Sequence, residues 1–394
     1  MGLNTSPSSE RINIAFFGRR NAGKSSLVNA ITGQELSVVS PIKGTTTDPV
    51  YKSMELLPIG PVNIIDTAGL DDDGELGKLR IEKTKQVLVK TDIAVLVVDS
   101  SESISQFDKN LIDTFNQKNI KFIIVYNKSD LISKFKNLNA NEIYTSVKNN
   151  TNIFELKELI ASIYKENPNK PKLVSDLVED GDIVILVTPI DSSAPKGRLI
   201  LPQQQVIRDL LEVGAITIVV KETELESALN KCTSKPKLVI TDSQVFGKVS
   251  KIVPNDILLT SFSIIFARYK GILFDAVEGV KNIENLKDGD IILISEGCTH
   301  HRQCEDIGTV KLPKWIKEYT KKNLEFEFTS GGTFPDDLSK YAMIIHCGGC
   351  MLKEQEVLYR YKQAKNQNTP ISNYGITISY INGILKRCIE VFEK

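Results

Sequence analysis

At 394 residues the chain exceeds the size that one hydrophobic core usually supports, so the sequence predicts two or three domains. Its 49 basic and 49 acidic side chains balance, which argues against a nucleic-acid partner, because proteins that bind nucleic acid normally carry a basic excess. The opening residues, MGLNTSPSSE, lack the regions of a signal peptide, and apolar runs such as 93–98 are too short to span a membrane, so we expect a cytoplasmic protein without a membrane partner.

The first recognisable pattern is a strand, a glycine-rich loop and a helix. Residues 12–17 are mostly apolar, the sequence GRRNAGKS follows over 18–25, and apolar residues then recur at helical spacing. Such a loop curls backbone N–H groups around phosphate oxygens, while Lys24 reaches the outer phosphates and the Ser25 hydroxyl holds Mg²⁺. We therefore expect a nucleotide to be bound by the loop residues Gly18, Asn21, Ala22, Gly23, Lys24, Ser25 and Ser26.

Two further motifs each follow an apolar run, where a parallel α/β sheet gathers its ligands. In the motif DTAG, Asp66 would hold Mg²⁺ through water and the backbone of Gly69 would sense the γ-phosphate. In the motif NKSD, Asp130 would accept two hydrogen bonds from guanine that adenine cannot donate, so GTP should be preferred over ATP by roughly ten-fold or more. Asn127 would tie the base loop to the phosphate loop, and the stem of Lys128 would cover the base.

Two flanking segments complete the predicted nucleotide site. Ser146 and Val147 follow another short apolar run and would add backbone contacts to the base, although an ordinary strand end is an equal alternative. Between the first two motifs lies the polar segment 44–48, which is suited to close over Mg²⁺ and the γ-phosphate. In this segment the Thr46 hydroxyl is the expected metal ligand, with Thr45 as the second choice.

These motifs resemble the translation-factor class of GTPases, and most closely the branch that contains the tRNA-modification GTPase and the ribosome-assembly GTPase Era. The resemblance implies that Asn21 helps to bind an activating potassium ion. Leu70 stands where Ras-like enzymes carry a water-orienting Gln, so we expect slow unstimulated hydrolysis. The residues expected to take part in GTP hydrolysis are Lys24, Asn21, Thr46, Asp66 and Gly69.

After a proline-containing segment the pattern restarts as alternating strands and helices. Strands are predicted over 183–187, 216–220 and 238–240, with helices over 203–211 and 222–230. This region contains no catalytic motif, which favours a structural or association module. The expected fold class is α/β, with a P-loop GTPase domain followed by two smaller α/β domains with parallel sheets: 1–168, a linker over 169–175, 176–262 and 263–394. The sequence DGDIVIL at 180–186 recurs as DGDIILI at 288–294, which is explained either by two related α/β units or by coincidence of a common turn–strand formula.

The stretch from Cys298 to Cys350 contains all three histidines and four of the six cysteines. It begins with Cys-Thr-His at 298–300 and ends with His-Cys-Gly-Gly-Cys at 346–350, and each half follows a predicted strand. Parallel strands would bring the halves together as one metal site. The donors suit a four-coordinate zinc or an iron–sulfur cluster, and the spacing alone does not decide between them. The remaining alternative is two unrelated pairs of buried thiols.

The whole chain resembles the family of [FeFe]-hydrogenase maturation GTPases, the HydF scaffold proteins. The resemblance implies a [4Fe–4S] cluster on Cys298, Cys347 and Cys350, with one iron left for an exchangeable ligand. His300 and His346 match histidines of the family and could ligate iron or donate a hydrogen bond beside the cluster. Glu305 is near enough in sequence to offer a carboxylate ligand, with a solvated loop charge as the alternative. It also implies a homodimer and a transient two-iron precursor, with radical-SAM maturases and apo-[FeFe]-hydrogenase as partners.

Three functions are therefore compared. The first is a GTPase scaffold that carries and delivers a metal precursor. The second is an RNA-linked GTPase with a structural zinc, which would be colourless. The third is a nucleotide-gated iron–sulfur module for electron transfer, whose cluster would be ligated entirely by cysteine and would not accept added imidazole.

Overall fold

The computed structural model describes residues 11–33, 49–57, 59–67, 84, 86–164, 172–190, 199–297 and 307–393. The chain divides into two compact units, Met1–Pro168 and Asn169–Lys394. The first unit spans the same residues as the predicted GTPase domain, and the second contains both of the smaller predicted domains. Within the described ranges, no helix combines the length and the apolar character needed to cross a bilayer.

The first unit is built on a six-stranded sheet in the order β2-β3-β1-β4-β5-β6, in which only the β2–β3 pair is antiparallel. The strands are β1 (Ile12–Phe17), β2 (Val50–Leu56), β3 (Gly60–Asp66), β4 (Ile93–Asp99), β5 (Lys121–Asn127) and β6 (Glu142–Tyr144). The helices with described bounds are α1 (Lys24–Thr32), α2 (Gln106–Gln117) and α3 (Ile153–Ile163).

Strand β1 is buried on both faces, which explains its continuous apolar sequence. Because successive side chains point to opposite faces, Ile14 and Phe16 enter one hydrophobic cluster while Ala15 and Phe17 enter another. The sheet therefore lies between two cores, and its carboxyl edge is left for loops and ligands.

The second unit contains two four-stranded sheets, each with all strands parallel, in the orders β10-β9-β7-β8 and β12-β11-β13-β14. The strands are β7 (Ile183–Val187), β8 (Ile216–Val220), β9 (Leu238–Thr241), β10 (Leu258–Ser261), β11 (Ile291–Glu296), β12 (Glu325–Ser330), β13 (Tyr341–His346) and β14 (Ile371–Asn373). The helices are α4 (Leu201–Glu212), α5 (Leu225–Lys231), α6 (Phe246–Ile252), α7 (Phe262–Tyr269), α8 (Leu273–Val280), α9 (Leu312–Thr320), α10 (Glu354–Asn366), α11 (Tyr374–Ile381) and α12 (Leu385–Ile389). The predicted α/β class with parallel sheets is confirmed.

The sequence echo marks a true structural repeat. The repeated sequence forms the start of β7 in one sheet and of β11 in the other. Strand β7 pairs with β8 and β9, and β11 pairs with β12 and β13, so the two sheets have the same topology. The turn before β7 has Gly181 at φ +80°, and the turn before β11 has Gly289 at φ +86°. In each turn the last aspartate, Asp182 or Asp290, accepts a hydrogen bond from the backbone N–H three residues earlier. The two halves of the unit therefore repeat one four-stranded design.

The two repeats exchange their last helices. In the first repeat α7 is followed by α8, which packs on β14 of the other sheet, where the Ser372 hydroxyl donates to the Ala276 carbonyl at 2.9 Å. In the second repeat α11 is followed by α12, which packs on β10, and the guanidinium of Arg387 donates to the Val253 carbonyl at 2.9 Å. Each sheet is thus completed by the other repeat, which explains why the second unit is compact as a whole.

Candidate nucleotide and metal sites

The loop between β1 and α1 depends on two glycines. Gly18 has a φ of +141°, and a Cβ atom there would lie 2.2 Å from the Val97 carbonyl oxygen. Gly23 has a φ of +90°, and a Cβ atom there would lie 2.3 Å from Nδ2 of Asn127. Both distances are far below any real contact, so each position requires glycine. Between them Asn21 is exposed with a left-handed φ of 61° and lines a small pocket together with Asp99.

The phosphate-side residues lie together at the start of α1. The buried ammonium of Lys24 donates to the carbonyls of Gly18 at 2.9 Å and Arg19 at 2.8 Å, which holds it within the loop. The hydroxyl of Ser25 donates to Oδ2 of Asp66 at 2.6 Å. A hydroxyl and a carboxylate this close can both face one hydrated magnesium ion, since oxygen ligands and retained waters are what that ion prefers. Ser26 is half-buried in the first turn of α1.

The base-side residues are joined to the phosphate loop by direct hydrogen bonds. Nδ2 of Asn127 donates to the Ala22 carbonyl at 3.0 Å, and the buried hydroxyl of Thr145 donates to Oδ1 of Asn127 at 3.2 Å. The hydroxyl of Ser146 donates to Oδ1 of Asp130 at 2.6 Å. Ser146 therefore contacts the carboxylate of Asp130, the residue predicted to read the base, with its side chain. Val147, the next residue, packs against the core.

Sequence reasoning missed two contributors to this site. Thr145 directly follows β6, and the only feature of the sequence that pointed to a role in this site was its position next to Ser146. Asp99 at the end of β4 forms an ion pair with Lys128 at 2.6 Å, and Lys128 has a left-handed φ of 60°. Burial alone would raise the pKa of Asp99, but the bonds from Lys128 and Ser101 outweigh it and hold that pKa below its ordinary value. The predicted residues Thr45, Thr46 and Gly69 lie outside the described residues.

The Cys-x-x-Cys half of the motif follows β13 and contacts the carboxyl end of β11, the strand that leads to the first half. The Cys347 N–H donates to the Ser295 carbonyl at 2.9 Å, and the Gly297 N–H donates to Sγ of Cys347 at 3.0 Å. The Gly349 N–H donates to the same sulfur at 3.3 Å. Gly297 immediately precedes Cys298 in the chain, so the structure places the residue before the first half of the motif in contact with the second half.

The donor set fits a metal bound through thiolate. Burial raises the pKa of both thiols of the Cys-x-x-Cys segment, to about 11 for Cys350, so without a cation the thiolates are disfavoured. Two amide N–H groups already point at Cys347 Sγ, and such bonds to sulfur are a means by which proteins tune iron–sulfur clusters. Cys298, His300 and Glu305 lie outside the described residues, and within those residues no three His, Cys, Asp or Glu side chains form a metal site.

Three buried polar side chains surround the Cys-x-x-Cys segment. His346 is fully buried, with Nδ1 lying 2.7 Å from the Cys347 carbonyl and Nε2 lying 3.1 Å from the guanidinium of Arg360. The buried ammonium of Lys270, at the end of α7, donates to the carbonyls of Gly349 at 2.6 Å and Leu352. Burial and the Arg360 charge lower the pKa of His346 to about 3, so this ring is neutral. Sequence reasoning missed both Arg360 and Lys270.

Family models match the two units separately. A 50S ribosome-binding GTPase model matches residues 13–128, a hydrogen maturase F dimerization domain matches 173–271, and a hydrogen maturase F tetramerization domain matches 274–391. The chain belongs to the HydF family of hydrogenase maturation GTPases. The predicted family resemblance is confirmed, and the boundary between the two HydF models falls between α7 and α8, close to the predicted domain limit at 262.

Other relatives of this HydF chain share its GTPase domain. The tRNA modification GTPase MnmE of Streptococcus agalactiae is 35% identical over 161 residues, which are 40% of this chain and 34% of that protein. MnmE of Lactobacillus acidophilus is 34% identical over 172 residues, 41% of this chain and 37% of that protein. The HydF chain thus spans about a third of the length of these curated relatives.

Two solved structures illustrate the structural comparison. An Era variant of Aquifex aeolicus bound to GDP·AlF4⁻ is 21% identical, with a TM-score of 0.35 over 53% of this chain and 93% of its own. A probable GTP-binding protein EngB is 24% identical, with a TM-score of 0.32 over 38% of this chain and 97% of its own. The HydF assignment rests on the family models and not on these similarities.

Proposed function

We propose that this HydF-family chain is a cytoplasmic GTP-hydrolysing scaffold that holds a [4Fe–4S] cluster and transfers a two-iron precursor to apo-[FeFe]-hydrogenase. Radical-SAM maturases would supply that precursor. The observation that carries the proposal is the hydrogen bond from Gly297 to Cys347 Sγ, because it places the residue before Cys298 against the Cys-x-x-Cys segment, within the part of the chain that matches the HydF models.

Cys298, Cys347 and Cys350 would hold the cluster. With three thiolates, a cluster retains one iron whose remaining position can exchange ligands, which is the chemistry a carrier needs. The surrounding residues would serve that site by excluding water and by positioning the loop. The amides of Gly297 and Gly349 already donate to Cys347, which would stabilise the thiolate form. His300, His346 and Glu305 would each supply either a fourth ligand or a contact beside the cluster.

In the GTPase unit, Mg²⁺ would lie between Ser25, Thr46 and the water held by Asp66, and Asp130 would select guanine over adenine. Two observations support this arrangement: the 2.6 Å bond between Ser25 and Asp66, and the tie from Asn127 to the phosphate loop. Hydrolysis would be slow and would be stimulated by potassium through Asn21. Equal rates in sodium and potassium chloride would contradict the role of Asn21.

The chain would form a homodimer through β8. This strand is the edge of its sheet, and its side chains Ile216 and Val219 are 52% and 42% exposed. An apolar edge strand offers unpaired backbone groups to a second strand, and β8 lies within the segment that matches the dimerization-domain model. Val219→Asp should therefore yield monomers in light scattering, whereas the control Leu211→Asp, on exposed helix α4, should leave the dimer intact.

Two reciprocal variants test the scaffold proposal. After anaerobic iron reconstitution, Cys347→Ser should lose bound iron and the capacity to mature apo-hydrogenase while GTP hydrolysis persists. Lys24→Ala should lose hydrolysis and keep its iron. Cys232→Ser changes a cysteine outside the motif and should behave as wild type. Loss of both bound iron and GTP hydrolysis in either variant would refute the separation of the two sites.

The same preparation separates the alternatives. A colourless protein with stoichiometric zinc would favour a structural zinc site. A cluster whose EPR spectrum does not change with added imidazole would favour electron transfer, since no iron would then be open to a new ligand.

A further inference from the structure

Arg360 on α10 is the largest fully buried side chain of the described residues. Its guanidinium donates to Oγ of Ser295 at 3.2 Å, to Nε2 of His346 at 3.1 Å and to the Gly331 carbonyl at 2.7 Å. Ser295 and His346 lie at the carboxyl ends of β11 and β13, and Gly331 follows β12 directly. One side chain therefore fastens the ends of three adjacent strands, two of which lead into the cysteine motif.

The chemistry of these partners assigns the tautomer of His346. A guanidinium has only N–H donors, so Nε2 of His346 must be the acceptor and carries no proton. The Cys347 carbonyl can only accept, so Nδ1, at 2.7 Å from it, must carry the proton. Both ring nitrogens are thus engaged, and the lone pair that would bind a metal is directed at Arg360.

Arg360 also places a positive charge near Cys347, because its guanidinium lies 3.1 Å from the ring of the preceding residue, His346. Glu356, 3.3 Å from the guanidinium, balances part of this charge. Loss of Arg360 would remove the cation and leave the buried Glu356 carboxylate without this partner. A nearby positive charge stabilises the more negative, reduced state of a bound cluster, so both changes would disfavour reduction.

We propose that Arg360 is a positioning residue of the metal site. Its hydrogen bond to Nε2 of His346 prevents that nitrogen from binding iron, and its positive charge favours the reduced state of the cluster. The inference rests on the proposed cluster for its electrostatic part. The tautomer part concerns the metal-free protein and stands independently of any cluster.

The first experiment measures the imidazole nitrogens by ¹⁵N NMR in the metal-free wild-type protein. The chain has three histidines, and His346→Gln assigns the signal of interest. The expected result is a neutral ring protonated at Nδ1. A ring protonated at Nε2 would overturn the proposal, whether or not the protein proves to bind a cluster.

The second experiment uses iron-reconstituted variants. In Arg360→Met, pulsed EPR on protein with ¹⁵N-labelled histidine should show a directly bound nitrogen that is absent from wild type and disappears when His346→Gln is added. The ratio of reduced to oxidised cluster at a fixed potential should fall about ten-fold, which is about 59 mV for one electron. Arg360→Lys keeps the charge and should restore most of that ratio.

Lys365→Met on the same helix is the matched control, since it removes an exposed cation and should leave both signals unchanged. An Arg360→Met protein that binds iron with the wild-type potential and with no new nitrogen would refute the proposal. Failure of wild type itself to bind iron would instead refute the proposed function and leave the NMR result to decide the tautomer.

Discussion

Replacing Lys270 by Met tests how strongly the first repeat supports the cysteine loop of the second. Lys270 ends α7, and its ammonium, which is 4% exposed, donates to the carbonyls of Gly349 and Leu352 on either side of Cys350. Methionine keeps most of the apolar stem and removes the donors. Both carbonyls would then lose a charged hydrogen-bond partner.

The size of the effect follows from opposing contributions. Two hydrogen bonds to a charged group contribute about 1.5–3 kcal/mol each. Burying the ammonium costs several kcal/mol, part of which the methionine variant regains. Because the variant also leaves two carbonyls short of a donor, the free energy of unfolding should fall by roughly 2–4 kcal/mol.

Urea unfolding followed by tryptophan fluorescence measures this directly. The chain has one tryptophan, and Trp315 on α9 packs against the core of the second unit, so its fluorescence reports that unit. With a urea dependence of about 1–3 kcal/mol per molar, the midpoint should fall by roughly 1 M or more. The control Lys365→Met removes a side chain that is 76% exposed and should change stability by less than about 0.5 kcal/mol. A Lys270→Met midpoint equal to that of wild type would refute the reasoning.

Two further predictions concern separate features: the hydrogen bonds that join the nucleotide loops to each other, and the exchange of helices between the two repeats. Asn127→Ala removes the bonds to Ala22 and Thr145 and should weaken GTP binding about ten-fold, measured by titration with a fluorescent analogue, with Asn116→Ala on the exposed face of α2 as the control. Unchanged affinity in Asn127→Ala would show that this tie does not organise the site. A chain ending at Asn382 lacks α12, so the sheet of the first repeat loses its cover and the Trp315 transition should lose its cooperativity. A sharp, wild-type transition in that chain would show that the repeats are stable separately.

The parts of the molecule that sequence predicted are those with a local signature. Strands β7 and β8 were predicted with the bounds that the structure has, because each is an apolar run closed by turn residues. The strand ends also predicted that the two cysteine halves would lie together; the structure describes Gly297, the residue before the first half, in contact with Cys347, and Cys298 lies outside the described residues. By contrast, Arg360 and Lys270 contact residues 65 and 79 positions away in the chain, and a lone cation in a helix gives no sign of its partners. The helix exchange has no periodic signature either.

The second repeat offers a comparison for Lys270 at the equivalent position. In the second repeat, Asn382 ends α11 as Lys270 ends α7, and each is followed by a glycine, Gly271 or Gly383, with φ near +70°. Asn382 faces the segment after β9, where its Oδ1 would lie 3.1 Å from a Cβ atom on Gly247.

That segment is the counterpart of the cysteine loop. The Asp242 N–H donates to the Val187 carbonyl as the Cys347 N–H does to that of Ser295, so Asp242 occupies the place of Cys347. A neutral amide therefore suffices where the loop has no cysteines, and a buried ammonium is found only where it has them. Because burying a cation costs several kcal/mol, we infer that Lys270 also balances the charge of the thiolates in the proposed cluster site. Lys270→Asn places the residue of the other repeat at this position. It should consequently lower the iron bound per chain by a larger fraction than it lowers the urea midpoint of the Trp315 fluorescence transition.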